Sequence, residues 1–330
     1  MPTSQNFRLL VLFAVLLALI VVGVGAFTRL TNAGLGCPDW PGCYGNMIVP
    51  NITEAAVAYP DLPLNSGKAW TEMFHRYLAG SLMLIIVAIA AYTWRHRFIY
   101  GYPVKLALSI LVLVCLQALL GMWTVTWKLQ PTVVMAHLMG GMLTVSLLWL
   151  LWLRVRNRTP YLENISIPMY HRWGYLALIA VVLQIALGGW TSANYAGVAC
   201  PGFPHCYDGS WLGQAHFLEA LQLWLPIGPN YEFGALDNPA RQGINLLHRF
   251  GAIGVVLFTG GWCLWLARIP YFRPMALTTL GILVLQILLG ISNVLLHLPL
   301  HVAVTHNIVA ALLLLATITL NYHVYVLQHR

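Results

Sequence analysis

Charged residues are scarce in this sequence. Only 8% of its 330 residues are Asp, Glu, Lys or Arg, whereas 59% are hydrophobic. A soluble globular domain carries roughly a quarter charged residues, so this composition excludes that class. Acidic residues are the rarer kind, with 9 against 17 basic residues. The shortage of charge therefore predicts a chain that is solvated mainly by lipid.

The sequence instead contains eight long apolar stretches. Each approaches the roughly 20 residues that a helix needs to cross about 30 Å of hydrocarbon. They lie near residues 9–28, 74–94, 104–126, 133–153, 173–191, 246–267, 275–295 and 303–326. The first is too long for the apolar core of a cleaved signal peptide, so we expect a retained span. The sequence predicts an all-α integral membrane protein with eight transmembrane helices.

The basic residues predict the orientation. With the N-terminus inside, the inner segments hold Arg8, Arg95, Arg97, Lys105, Arg154, Arg156, Arg158, Arg172, Arg268, Arg273 and Arg330. The outer side holds Arg29, Lys68, Arg76, Lys128, Arg241 and Arg249, with every acidic residue except Glu163. Short inner loops are enriched in Lys and Arg, so we expect cytoplasmic N- and C-termini. Because these residues form no continuous stripe, the net charge of +8 predicts no nucleic-acid partner.

The second half of the chain repeats the first. The matching segments are Cys37–Tyr44 with Cys200–Tyr207 at an offset of 163, and Gln117–Gly121 with Gln286–Gly290 at an offset of 169. Four spans per repeat is an even number, so both halves keep one orientation and are related by a pseudo-two-fold axis along the membrane normal. We expect two tandem four-helix bundles, residues 1–160 and 161–330.

Four of the six cysteines form two Cys-x5-Cys pairs in long outer loops, about residues 29–73 and 192–245. An oxidising outer compartment lets such thiols pair, and a metal site would need ligands beyond the single His205 nearby. The predicted disulfides are Cys37–Cys43 and Cys200–Cys206. Amphipathic patches such as residues 213–224 predict helices at the membrane interface.

The two remaining cysteines, Cys115 and Cys263, lie in the middle of predicted spans. Free cysteine behaves as a small hydrophobic residue and is often buried. We therefore expect both to be small core residues.

Four histidines occupy matching positions in the two halves. His75 corresponds to His248 at an offset of 173, and His137 to His306 at 169. Each is expected to open a helix at the outer end of a span, where ionisable residues are candidates for function. Histidine is a common iron ligand, so two per half predict two bis-histidine haem sites. For a single histidine the alternative is a polar residue at a wet helix end.

The chain has no Cys-x-x-Cys-His string, so the haems would be held without covalent attachment. The predicted pairs are His75 with His137 and His248 with His306. Small residues lie on the same helical face as the ligands, such as Gly140 and Gly141, Gly251 and Ala252, Ala79, and Ala310. They would leave a slot for a porphyrin edge, or alternatively allow close helix packing.

Two arginines directly follow the first ligand of each pair. Arg76 and Arg249 are candidates for contacts with haem propionates at the outer rim. The alternative is a contact with lipid headgroups.

The halves differ at Glu72, three residues before His75, where the second half has Asn245. A carboxylate beside one haem only favours proton chemistry at the first site and electron transfer at the second. The alternative is an acidic residue that stabilises the first turn of a helix. His297 and His301 have no counterpart in the first half, and no role is predicted for them.

These strings resemble the haem A synthase family over essentially the whole chain. The most specific are Gly34–Pro41 and Glu72–Arg76. The resemblance implies an oxidoreductase that converts haem O to haem A by stepwise oxidation of a porphyrin methyl group to a formyl group. It implies that His75 and His137 bind the iron of the substrate haem O or product haem A, with Glu72 catalytic.

The resemblance also implies a haem b cofactor at His248 and His306. The expected location is the bacterial cytoplasmic (inner) membrane, with the haem sites toward the periplasm, because no Arg- and Ser-rich transit segment precedes the first span. The expected partners are the lipid bilayer and haem O. Haem O synthase, cytochrome oxidase assembly factors and a second copy of the chain are further candidates.

Two other classes compete with this interpretation. A dihaem b-type cytochrome would relay electrons without modifying haem, but it leaves Glu72 unexplained. A transporter built from parallel repeats would bind its substrate near the membrane midplane, whereas the four histidines lie toward the outer surface.

Overall fold

The structure, a computed structural model, describes residues 4–156, 170–207, 209–225 and 230–328, and most of these residues lie in helices. The helices are α1 (Gln5–Leu30), α2 (Ile52–Ala58), α3 (Ser66–Arg95), α4 (Val104–Thr126), α5 (Pro131–Arg156), α6 (Tyr170–Ala193), α7 (Phe217–Ala220), α8 (Asn238–Val255), α9 (Gly261–Leu266), α10 (Arg273–Leu295) and α11 (Leu300–Gln328). A π-helical segment, Val256–Gly260, joins α8 to α9. Eight of the resulting spans are long and apolar enough to cross a membrane. The predicted all-α class and the eight spans are confirmed.

The helices that carry the first ligand of each pair begin earlier than predicted. The expectation that His75 and His248 open their helices is wrong, because α3 begins nine residues before His75 and α8 begins ten residues before His248. The side chain of Asn65 caps α3 by accepting a hydrogen bond of 3.1 Å from the backbone N–H of Lys68, and Asp237 caps α8 in the same way. Both histidines therefore lie roughly 13–15 Å along their helices, inside the bundle.

Each half packs its four spans around a shared interior. In the first half α1 contacts α3 and α5, and α4 contacts the same two helices; in the second half α6 contacts α8 and α11, and α10 contacts α9 and α11. Contacts of α1 with α11 and of α5 with α6 and α11 join the halves. This packing is the arrangement that a parallel repeat would give. The pseudo-two-fold axis stays a prediction, and the predicted boundary at residue 160 lies outside the described residues.

Polar contacts reinforce the junction between the halves. Toward the C-terminal ends of α5 and α11, the indole Nε1 of Trp149 donates to Oγ1 of Thr319 over 2.8 Å. Where α1 and α6 end, Nη2 of Arg29 donates to the carbonyl of Ser192 over 2.6 Å. Arg29 and Ser192 correspond to each other at the offset of 163, so equivalent points of the two halves meet there.

Both predicted disulfides, Cys37–Cys43 and Cys200–Cys206, are present. The prediction of an interfacial helix over residues 213–224 is largely wrong, because only the single turn α7 forms there. Carbonyls of this segment accept hydrogen bonds from other helices, as the carbonyl of Ala220 does from Nε1 of Trp190 over 2.8 Å. These contacts fix an irregular course that a continuous helix would not allow.

The two free cysteines differ in their surroundings. Cys263 is buried, as expected, whereas Cys115 is exposed. The prediction of a core position is wrong for Cys115, because most of the surface of α4 faces away from the bundle.

The charge distribution generates a prediction about orientation. Alkaline phosphatase folds only outside the cytoplasm, so a fusion after Pro60 should be active and a fusion after Gly101 should be inactive. A fluorescent protein fused after Arg330 should be fluorescent, because it folds in the cytoplasm. The reverse pattern for all three fusions would contradict the predicted orientation.

Candidate haem sites

The first pair of predicted ligands meets inside the N-terminal half. The imidazole centroids of His75 on α3 and His137 on α5 lie 6.5 Å apart, with ring planes at 84°. Two imidazoles on opposite sides of one metal ion place their centroids roughly 6.3 Å apart, taking metal–nitrogen bonds of about 2.0–2.1 Å. The separation of these two rings therefore suits two imidazoles that would bind one iron between them.

The second pair lines a cavity in the C-terminal half. His248 on α8 and His306 on α11 both face a space of about 700 Å³, within the roughly 300–1,000 Å³ typical of sites for small molecules and cofactors. Arg249 and Arg29 also line it, and the Nε atom of each is buried without a hydrogen-bond partner. Apolar walls, two imidazoles and two cations suit a ligand with a flat apolar body and carboxylates, which is the chemistry of a haem.

A glycine on the neighbouring helix contacts each of the four histidine rings. A Cβ atom added to the glycine would lie 2.9–3.3 Å from the ring Cε1 in every case. The pairs are Gly25 with His75, Gly121 with His137, Gly188 with His248, and Gly290 with His306. Even an alanine would crowd the imidazole, so these glycines set how closely each ring approaches the opposite helix. The sequence analysis missed them, although the offsets of 163 and 169 relate them in pairs.

Glu72 is buried, with only 4% of its surface exposed, and it binds the first cysteine loop. Its Oε2 accepts a 2.9 Å hydrogen bond from the backbone N–H of Cys37, and its Oε1 pairs with Arg76 one turn further along α3. Nη1 of Arg76 donates to the carbonyls of Asp39 and Pro41 over 3.0 and 3.2 Å. Glu72 lies in the second turn of α3, so the alternative of a first-turn acid is wrong.

The second half has a neutral residue in place of Glu72, and its side chain binds the segment just before the cysteine pair. Nδ2 of Asn245 donates to the carbonyl of Ala196 over 2.9 Å. Nη2 of Arg249 donates to the carbonyl of Cys200 over 2.6 Å, and its Nη1 to that of Gly202 over 2.9 Å. Both arginines therefore bind the disulfide loops, and their contacts with propionates or headgroups stay predictions.

Arg29 is a residue of the C-terminal cavity that the sequence analysis placed only among the outer charges. It belongs to α1, in the other half, yet it lines the cavity of His248. Its guanidinium carbon lies 4.0 Å from the ring centroid of Tyr195, a cation–π contact. The sequence did contain a signal for this asymmetry. The position of the second half that corresponds to Arg29 is Ser192, so only the first half has a cation there.

Three further histidines lie apart from these sites. His297 occupies the turn between α10 and α11 with a φ of +55°, and His301 is exposed at the start of α11. His216, Glu219 and Asp237 bring their ligand atoms within 4.8 Å of one another, but all three are exposed. Asp237 caps α8, and His216 pairs with Glu219. Those contacts account for the group without a metal.

We predict that Gly188→Val weakens haem binding in the C-terminal half. A Cβ at Gly188 would lie 3.1 Å from Cε1 of His248, and two further methyl groups would displace the ring. Misplacing a ligand costs about 10–100-fold in metal affinity. The measurement is the haem-to-protein ratio of the purified protein. Gly281→Val is the matched control, because a Cβ there has nothing within 4 Å, and equal haem content in both variants would contradict the prediction.

The sequence of this chain matches one family model and several named proteins. A sequence model of a family described as "Cytochrome oxidase assembly protein" (COX15-CtaA) matches residues 8–318. A protein named "Heme A synthase" from Shewanella oneidensis is 44% identical over 312 residues, covering 92% of each chain. Proteins of the same name from Brucella anthropi and Chelativorans sp. are 25% and 27% identical, covering 94% and 92% of this chain and 88% and 87% of theirs. The chain belongs to the COX15-CtaA family of cytochrome oxidase assembly proteins.

Proposed function

We propose that this protein is a haem A synthase, an oxidoreductase that converts haem O to haem A by oxidising a porphyrin methyl group to a formyl group. The name of its 44% identical relative from Shewanella oneidensis supports this function. The observation that carries it is the pair of imidazoles 6.5 Å apart in the half that also contains a buried carboxylate. A dihaem cytochrome that only relays electrons would need no such carboxylate.

The two sites take different haems in this proposal. His75 and His137 bind the iron of the substrate, haem O, and of the product, haem A. His248 and His306 bind haem b, which supplies one-electron transfer when it is bound. The cavity beside His248 and the unpartnered Nε of Arg29 and of Arg249 support the second assignment. Arg76 and Arg249 would also contact propionates.

Glu72 is the proposed catalytic residue. Oxidation of a methyl group to a formyl group removes protons and electrons and adds one oxygen atom, so a group that accepts protons or orients water is required. The buried carboxylate of Glu72 lies one helical turn outward from His75, and its Oε1 is ion-paired with Arg76. The N–H of Cys37 fixes one oxygen and thereby limits the rotation of the carboxylate.

The remaining assignments follow from the same proposal. Residues 1–160 would form the substrate half and residues 161–330 the haem b half. The protein would span the bacterial cytoplasmic membrane several times, with both sites toward the periplasm. Its partners would be lipid, haem O and, as further candidates, haem O synthase, cytochrome oxidase assembly factors and a second copy of the chain.

The product test uses the whole protein in a host that makes haem O. The purified protein should contain haem b together with haem A or a hydroxylated intermediate, identified by chromatography and mass after extraction. Haem b alone would favour the electron relay. A protein without any haem would contradict the pairing of the histidines.

We predict that Glu72→Gln retains both haems but loses the aldehyde product. Gln keeps an oxygen that can accept the hydrogen bond from Cys37, yet it cannot take up a proton. Loss of a general acid–base group lowers the rate about 10²–10⁴-fold. The measurement is the haem A yield at equal protein. Glu54→Gln, at an exposed acid of α2, is the matched control, and a normal yield from Glu72→Gln would remove Glu72 from the mechanism.

A further inference from the structure

The cavity beside the second pair of ligands is formed partly by the first half of the chain. Arg29 and Leu30 at the end of α1 and Leu138 and Met142 of α5 line it, together with residues of α6, α8, α10 and α11. Both α1 and α5 belong to the first half. The cavity of His248 therefore lies at the junction between the halves, and the second half alone does not enclose it.

Arg29 is the cation that the first half contributes to this cavity. Its Nη2 donates to the carbonyls of Ser192 and Ala193 over 2.6 and 3.4 Å, and its guanidinium carbon lies 4.0 Å from the ring centroid of Tyr195. Its Nε is buried without a hydrogen-bond partner, and no described residue accepts a hydrogen bond from its Nη1. One nitrogen is thus fixed at the end of α6, while the other two have no acceptor.

Two positive charges line the cavity without a negative charge to balance them. Arg29 and Arg249 are both lining residues, and none of the acidic residues that the structure describes is. Neither arginine takes part in an ion pair within the described ranges. A partly buried charge without a counter-ion is costly in an apolar environment. The two arginines therefore favour a ligand that brings two negative charges, and a haem has two propionate carboxylates.

The corresponding residues of the first half carry no unpaired charge. Arg76, the counterpart of Arg249, is ion-paired with Glu72. The counterpart of Arg29 in the second half is the neutral Ser192, so no cation is contributed in the opposite direction. Two unpaired arginines are thus a property of the second pair of ligands.

We propose that Arg29 binds a propionate of the haem held by His248 and His306, with Arg249 as the second cation, so that the first half of the chain completes the haem site of the second. This proposal rests on the proposed function, which assigns haem b to that site. A guanidinium donates to a carboxylate in a planar geometry, and the Tyr195 ring and the end of α6 already hold this one in position. Little reorganisation is then needed when the carboxylate binds.

The first test separates a contact with a propionate from a purely structural role of Arg29. It compares the affinity of the full-length apoprotein for haem b and for haem b dimethyl ester, in which both carboxylates are neutral. All proteins carry His75→Ala, which removes a ligand of the first site, so that the added haem reports on the second. With Arg29 in place, haem b should bind more tightly than the ester. Arg29→Gln should reduce this preference about 10–100-fold, the effect of one hydrogen bond between charged groups.

A structural defect would weaken the binding of both ligands equally, so an unchanged preference in Arg29→Gln would overturn the proposal. Arg241→Gln is the matched control, because Arg241 also donates to backbone carbonyls, those of Leu236 and Gly234, but does not line the cavity. The control should keep the preference for haem b. Equal affinities for haem b and its ester with Arg29 in place would also overturn the proposal, whether or not Arg29→Gln folds.

The second test uses Arg29→Lys, which keeps the positive charge at the junction. Haem b labelled with ¹³C at its propionate carboxyl groups is bound to the full-length protein, and its carboxylate stretching bands are recorded by infrared difference spectroscopy between the oxidised and reduced states. Replacing a guanidinium by an ammonium changes the hydrogen bonds to the carboxylate, so we expect the bands to shift. Identical bands with Arg29 and with Arg29→Lys would overturn the proposal.

The outcomes distinguish this proposal from the proposed function. A protein that binds neither haem b nor the ester at the second site would overturn both this proposal and the assignment of haem b to that site. Haem b that is bound with the same preference and the same carboxylate bands in the variants would overturn this proposal alone.

Discussion

The contact between each histidine ring and the glycine of the neighbouring helix determines the geometry of both candidate sites. In lipid the hydrophobic effect contributes little to the association of transmembrane helices. Small residues that allow close approach therefore decide where the helices pack together. Here the close approach is made by an imidazole, whose Cε1 lies against the helix opposite it in all four cases. The four contacts use the pairs α1–α3, α4–α5, α6–α8 and α10–α11, so every span of each half is needed to hold its two rings.

A second constraint comes from the two disulfide loops. The carbonyls of each disulfide loop accept hydrogen bonds from the arginine that directly follows a candidate ligand. The residue that binds the loop and the candidate ligand are therefore neighbours on one helix. The residue one turn before the first ligand of each pair also binds a nearby backbone group. Glu72 accepts from the N–H of Cys37 in the disulfide loop, whereas Asn245 donates to the carbonyl of Ala196, four residues before its disulfide loop. The first half thus uses a carboxylate where the second half uses a neutral amide.

Much of this organisation could be predicted from the sequence, since length and hydropathy define the spans, and the repeated strings relate the cysteines and histidines across the halves. The starts of α3 and α8 were misplaced, because the caps at Asn65 and Asp237 add polar turns that hydropathy does not reveal. The side of α4 that carries Cys115 was also misjudged, because an apolar helix in lipid gives no periodic signal. The position of Arg29 depends on contacts between the halves, which only the structure provides.

The two halves thus share a scaffold and differ in a few side chains with separable consequences. Glu72 gives the first half a buried carboxylate where the second half has Asn245, and Val21 and Leu78 stand where the second half has Gln184 and Gly251. Glu72 and Leu78 lie on α3 and Val21 lies on α1, the two helices that meet at the ring of His75. These differences between the halves are therefore concentrated around one of the two candidate sites, in the half that the proposed function makes the place of turnover.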